Sequence, residues 1–108
     1  MYRQVDFHRK ESSDFDATAR MRKFLAYVVE ETLQGRADRL KADVVATEVL
    51  GRDASFDAHS DPIVRIEAGH LRRALDRYYL TAGASDQIII SVPKGSYVPK
   101  FEPADGTI

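Results

Sequence analysis

The sequence contains no cysteine and only three histidines in 108 residues. A disulfide framework and thiolate chemistry are therefore excluded, and the scattered histidines lack the ligand spacing of a zinc site. No apolar run approaches the roughly 20 residues that a membrane-spanning helix requires, and no signal-peptide core follows the amino terminus. We therefore expect a cytoplasmic protein that has no membrane association and binds neither a metal nor another cofactor.

A basic excess, which is usual in strong non-specific nucleic-acid binders, is also missing, because the net charge is -1. The charges are nevertheless distributed unevenly. Residues 62–100 contain six lysines and arginines against three acidic residues, a local excess of +3, whereas the preceding and following residues are net acidic. The positive field is thus concentrated in one part of the chain.

The length fits one small domain and is too short for a typical two-domain enzyme. The chain contains no nucleophile elbow and no phosphate-binding glycine loop. Asp53, Asp57 and Asp61 lie near His59 in one segment, but their spacing is not that of a calcium-binding loop. We therefore predict a non-enzymatic protein with no catalytic residue and no metal site.

The first half of the chain predicts a polar arm followed by two helices. Residues 1–16 show no sustained hydrophobic period, so we interpret them as a flexible arm before a domain of residues 17–102. Over residues 17–34 one helical face carries the apolar side chains, which are Met21, Phe24, Leu25, Val28, Val29 and Leu33. A shorter helix is predicted over about residues 40–50, where Val45 and Val49 are spaced i, i+4. Residues 103–108 are interpreted as a tail or the start of a linker.

A third helix is predicted after the loop of residues 52–60, in which Phe56 is expected to reach the core. Asp61 and Pro62 suit the helix start, and Gly83 suits a left-handed stop. An apolar stripe follows the helical period and consists of Val64, Ala68, Leu71, Leu75 and Tyr78. The remaining surface carries Arg65, Gly69, His70, Arg72, Arg73 and Arg77.

A β-hairpin is predicted after this helix. The run that begins at Ile88 is rich in Ile, Val and Tyr and is broken at Pro93-Lys94-Gly95-Ser96, a combination that favours a turn. Tyr97, at the start of the expected returning strand, is more typical of a core anchor than of a nucleic-acid contact. Three main helices followed by a C-terminal hairpin predict an α+β winged helix-turn-helix, with the hairpin as the wing.

Three segments resemble a known domain: FLAYVVEETLQGRADRLK, EVLGRDASFDAHSDPIVRIEAGHLRRAL and VPKGSYVPKF. They are similar to the winged-helix domain found at the front of larger bacterial proteins described as adenylate cyclases or tetratricopeptide-repeat proteins, and the resemblance spans residues 20–101. The long loop and the Gly-Ser-Tyr hairpin more distantly resemble the DNA-binding effector domains of response regulators. The resemblance implies a winged helix that binds DNA in transcription regulation, whereas any cyclase activity would belong to a separate domain.

The arginine-bearing helix beside a lysine-tipped hairpin predicts binding to double-stranded DNA. Arg72 and Arg73 are the best candidates for groove contacts. Arg65 lies near the helix start, where recognition helices often touch base edges, and Arg77 is better suited to a phosphate. Gly69 would allow the helix backbone to approach DNA or a second helix closely.

Further candidate contacts lie outside this helix. Lys94 at the hairpin tip is suited to a phosphate or the minor groove, and we include Ser96 of the same turn in the predicted DNA-binding surface. Arg39 and Lys41 precede the second helix and are candidate phosphate contacts, because a helix amino end favours anions.

Other interpretations of the same residues stay open. A charged helix face is commonly just solvated, and Glu67 and Asp76 offer ion-pair partners at helical spacing. Lys94 also fits an ordinary solubilising turn residue. Arg39 and Lys41 fit solvated connector charges better than phosphate contacts, and Gly69 also fits a glycine that is merely tolerated on an exposed face. The alternative function is a protein-interaction or homodimerisation module that uses the winged-helix surface, for which an apolar patch including Ile66 would be evidence.

Overall fold

The computed structural model describes residues 18–104, so the predicted arm of residues 1–16 and residues 105–108 of the predicted tail lie outside the described part. The elements in chain order are α1 (Ala19–Leu33), a 3₁₀ turn (Ala37–Arg39), α2 (Ala42–Glu48), α3 (Ile63–Leu80), β1 (Ile88–Ser91) and β2 (Lys100–Pro103). This is the α+β layout of a winged helix with a C-terminal hairpin, and the predicted fold class is confirmed.

One hydrophobic core joins the helices to the hairpin. Its fully buried side chains include Phe24, Leu25, Val28, Val45, Val64, Leu71 and Ile90. Phe56, from the loop before α3, packs against this core as predicted. Each helix buries side chains in this core, and in proteins most helical stability comes from such tertiary packing.

The amino ends of α1 and α3 are stabilised by side chains that accept backbone hydrogen bonds. Thr18 is the N-cap of α1, and its Oγ1 accepts a hydrogen bond from Met21 N at 3.1 Å. Asp61 Oδ1 accepts one from Ile63 N at 3.1 Å, so the predicted capping role of Asp61 is confirmed. The helical residues of α3 start at Ile63, and Pro62 occupies the N-cap position but has no side chain that can accept a hydrogen bond. The carboxylate of the preceding residue, Asp61, provides the acceptor instead.

The carboxyl end of α3 requires a correction to the predicted role of Gly83. This glycine does not adopt a positive φ, so the prediction of a left-handed stop is wrong. Its amide donates to Tyr78 O at 2.7 Å, and a β-carbon at this position would lie 2.1 Å from Tyr78 Cε2. The glycine is needed because the chain folds back directly onto the buried Tyr78 ring.

The wing consists of β1, β2 and the connection of residues 92–99. The strands pair antiparallel, with Ile88 opposite Pro103 and Ser91 opposite Lys100. The predicted turn is present, and Gly95 has a φ of +84°. The returning strand begins at Lys100 rather than near Tyr97, because residues 97 and 98 pack against the core first.

Two aromatic side chains hold the wing against the helices. The Tyr97 ring lies 6.2 Å from the Phe24 ring in a tilted arrangement, which confirms the interpretation of Tyr97 as a core anchor. Tyr79 Oη accepts a hydrogen bond from Ile90 N at 2.8 Å, so α3 satisfies a backbone group on the side of β1 that faces away from β2. Pairing also extends past β2, since Ala104 N donates to Gln87 O at 3.0 Å.

Candidate nucleic-acid interface

Helix α3 separates its side chains into an inner face and an outer face. All five residues of the predicted apolar stripe are buried, and Glu67 and Ala74 extend this inner face. Because successive residues of an α-helix are about 100° apart, the arginines fall on the other side or on its flanks. The helical period therefore places the predicted candidates of α3 off the core.

The outer face of α3 carries Arg65, Gly69, Arg73 and Arg77, spaced i, i+4 along three turns. All three arginines are exposed. Arg65 Nη1 donates to Ala58 O of the preceding loop at 3.4 Å, a long contact that leaves most of its donors available. Arg73 makes no hydrogen bond or ion pair within residues 18–104. The helix thus presents a row of cations to solvent.

Gly69 forms a shallow gap in this row. A β-carbon at this position would meet only Arg73 Nη1, at the ordinary contact distance of 3.7 Å. The glycine is therefore not required by packing within the described residues. Gly69 is partly exposed and lies between two arginines of the outer face.

Arg72 has a different environment from the other arginines of α3. Its Nε donates to Val92 O at 2.5 Å, and its Nη2 donates to Pro93 O and to Ser96 O, both at 3.2 Å. The guanidinium is part-buried between α3 and the wing connection. A groove contact by Arg72 would therefore compete with three hydrogen bonds inside the protein.

The tip of the wing lies beside α3. Lys94 is exposed, and it borders a groove of about 600 Å³ together with Pro93 of the wing and Arg72 and Asp76 of α3. The tip lysine and α3 are thus neighbours across one groove. Asp76 adds one negative charge at the same place.

On its other side the wing turn lies next to the start of α2. Lys41, Gly95 and Ser96 line a common depression of about 350 Å³. Lys41 is the exposed N-cap residue of α2, and Arg39 is exposed in the preceding 3₁₀ turn. Ser96 is committed locally, since its Oγ accepts from Val98 N at 3.0 Å and its carbonyl accepts from Arg72. The structure therefore brings Lys41 near the wing turn and gives Ser96 an internal role.

Glu67 does not neutralise an arginine of α3. It is buried on the inner face, where its Oε2 lies 3.4 Å from Arg20 Nη1 of α1 and 3.8 Å from His70 Nδ1. The expectation that Glu67 is an ion-pair partner for the arginines of its own helix is thus wrong. Its charge is directed toward α1, which leaves the outer face more positive than the sequence suggests.

The loop acids are used locally. Asp53 Oδ1 accepts hydrogen bonds from both the amide and the hydroxyl of Ser55, and these bonds lower the pKa of the Asp53 carboxyl. Asp57 Oδ1 accepts from His59 N at 3.0 Å. Within residues 18–104, no group of three or more histidine and acidic side chains is arranged to hold a metal ion.

Two large apolar side chains are exposed on α3. Ile66 is 46% exposed and Leu80 is 81% exposed. Both follow the outer face, on either side of Arg73 at a spacing of seven residues. The outer face thus carries three exposed arginines and two exposed apolar side chains.

None of the helices within residues 18–104 is both long enough and apolar enough to cross a lipid bilayer.

No protein-family model, curated protein or solved structure matches this chain. The description of the candidate interface therefore rests on the residues and contacts of this chain alone.

Sequence reasoning missed the role of Arg72 as a link between α3 and the wing. One signal was present, because Arg72 follows Ala68 by four residues and precedes Leu75 by three. These spacings place it at the border of the apolar stripe, where a long side chain becomes half-buried. Tyr79 lies on the same border, seven residues later.

Proposed function

We propose that this chain is a sequence-specific binding module for double-stranded DNA with a role in transcription regulation. One observation carries the proposal: the outer face of α3 presents Arg65, Arg73 and Arg77 on one stripe, beside a wing whose tip carries Lys94. A helix inserted in the major groove can read base edges with its arginines, and an adjacent lysine can contact a phosphate.

The charge distribution supports this proposal over general electrostatic binding. The chain as a whole is slightly acidic, so it has little non-specific attraction to DNA. The local excess of +3 over residues 62–100 coincides with α3 and the wing. Specific binding would then depend on a few cations held in fixed positions.

The proposed setting is the cytoplasm of a bacterial cell, with the module belonging to the group of winged helices that it resembles. In that group the module precedes other domains, and we propose a regulatory role of this kind, including the control of a larger cyclase. The chain itself is not expected to be an enzyme. Purified protein incubated with ATP and magnesium is expected to form no cyclic AMP, and turnover abolished by substituting one of its own carboxylates would contradict this.

The experiment that tests DNA binding is a selection from random duplexes, followed by titrations at several salt concentrations. With about four cations at phosphates, the logarithm of the binding constant should fall against the logarithm of salt with a slope near -3.6. Lys23→Ala, at an exposed position of α1, is the matched charge control and should leave affinity unchanged. Absence of binding at low salt, to both selected and random duplexes, would contradict the proposal.

A second candidate function is protein interaction or homodimerisation through the same surface. The specific observation in its favour is the exposure of Ile66 and Leu80 on the outer face of α3. Sedimentation of the wild type and of the Ile66→Ser and Leu80→Ser variants distinguishes the two functions. A dimer that dissociates in these variants, together with no DNA binding, would favour the interaction module.

A further inference from the structure

The guanidinium of Arg72 joins α3 to three carbonyls of the wing connection. The acceptors are Val92 O, Pro93 O and Ser96 O, at 2.5, 3.2 and 3.2 Å. They lie immediately before and at the end of the turn that carries Lys94 and Gly95. One side chain therefore holds both sides of the wing turn.

The wing turn needs such support. Each strand of the hairpin has four residues, and the connection between them is twice as long, spanning residues 92–99. A two-stranded hairpin is at best marginally stable without packing partners. Tyr97 anchors the side of the turn that returns to β2, while the turn itself, with Lys94 and Gly95, is exposed.

The chemistry of arginine suits this position. A planar guanidinium presents several N–H donors in a fixed fork, so it can serve carbonyls on two sides at once. A lysine ammonium carries the same charge on a flexible stem and cannot reproduce this planar arrangement. A substitution by lysine thus separates the geometry of the side chain from its charge.

We propose that Arg72 is a positioning residue, which fixes the wing turn against α3 so that Lys94 and the outer face of α3 engage one duplex together. This inference rests on the proposed DNA binding and changes the role of Arg72 from reader to support. Arg72 then influences DNA affinity through the position of Lys94 rather than through a contact of its own.

The first test uses the protein without DNA. Backbone amide order parameters are measured for residues 94–97 in the wild type, Arg72→Lys and Arg73→Lys. In the wild type we expect order parameters near 0.85 for these amides, and in Arg72→Lys we expect them to fall toward about 0.6. They should stay unchanged in Arg73→Lys, which is the matched control on the outer face. Amides of Phe24 and Val28 in the core serve as an internal reference. Equal loosening of core and wing, or an unchanged wing, would overturn the positioning role.

The second test is a double-mutant cycle on the selected duplex. Lys94→Ala is expected to flatten the salt slope by about one unit in the wild-type background and by clearly less in the Arg72→Lys background. Equal effects of Lys94→Ala in both backgrounds would overturn the inference while DNA binding stands. Failure of the wild type to bind any duplex would instead overturn the proposed function, and the inference with it.

Discussion

Arg72 and Arg73 are adjacent in sequence, yet they face different parts of the molecule. Arg72 donates three hydrogen bonds to the wing connection, whereas Arg73 is exposed on the outer face. The difference comes from a single helical step of about 100°. The residue type is the same at both positions, so the contacts of an arginine on α3 depend on the face of the helix on which it lies.

The inner and outer faces of α3 give the same comparison on a larger scale. Leu71 is fully buried in the shared core, while Ile66 is 46% exposed. Substitutions on the inner face are expected to change the free energy of unfolding, and those on the outer face are expected to change binding. Arg72 lies between the two faces and should affect both quantities.

The largest effect is expected for Leu71→Ala. Removing a fully buried leucine side chain should lower the free energy of unfolding by about 2 to 5 kcal/mol. Ile66→Ala on the outer face should change it by no more than about 0.5 kcal/mol, the usual range for surface sites. Urea unfolding of both variants measures the contrast. Similar losses at the two positions would mean that the outer face is also packed.

The next effect is expected for Arg72→Ala. This change leaves three wing carbonyls without their charged donor and should destabilise the protein by about 1 to 3 kcal/mol. Arg73→Ala is the control and should change the free energy of unfolding by about 0.5 kcal/mol or less, the usual range for surface substitutions. Thermal melting of both variants measures the difference in stability. A melting curve of Arg72→Ala that coincides with that of the wild type would show that the hydrogen bonds to the wing are dispensable.

A smaller and more selective effect is expected for Arg73→Ala in DNA binding. If its guanidinium contacts a base edge, the variant should lose about 1 to 3 kcal/mol of discrimination between selected and random duplexes. Titrations on both duplexes measure the loss. An equal decrease on both would assign Arg73 to a phosphate, and no decrease on either would remove it from the interface.

The smallest effect is expected for Gly69→Ala. The new methyl group meets only Arg73 Nη1 at an ordinary distance, so the helix should gain up to about 1 kcal/mol of stability. DNA affinity should fall, because the methyl group would separate the helix backbone from the duplex. Melting and titration are measured on the same sample. Higher stability with unchanged affinity would show that the backbone at Gly69 does not approach DNA.

Hydrophobic periodicity was sufficient to predict the helices and the core. The stripe from Val64 to Tyr78 and the pair Val45 and Val49 are buried, because spacing alone decides which face of an amphipathic helix turns inward. The turn at Gly95 and the anchor at Tyr97 could also be predicted from residue type. These features depend on local geometry and on burial, which the sequence carries directly.

The roles that escaped prediction depend on contacts between distant segments. Arg72 reaches the wing 20 to 24 residues later, and Glu67 reaches Arg20 of α1 47 residues earlier. Gly83 was predicted to end α3 in a left-handed conformation. A glycine is instead required there because the Tyr78 ring leaves no room for a β-carbon. Helical spacing places Arg72 at the border of the apolar stripe, but it does not identify the partner of any of these residues, since each contact requires the relative placement of whole elements. The DNA-binding roles of Arg65, Arg73, Arg77 and Lys94 stay predictions.

The hydrogen bond from Ile90 N to Tyr79 Oη has a consequence for assembly. Exposed strand edges are templates on which other chains add strands, and this leads to aggregation or domain swapping. In β1 a side chain of α3 occupies a backbone donor on the edge opposite β2. A visiting strand would have to displace the tyrosine before it could pair at Ile90. The helix thus protects the β1 edge of the hairpin at Ile90 against the addition of a strand from another chain.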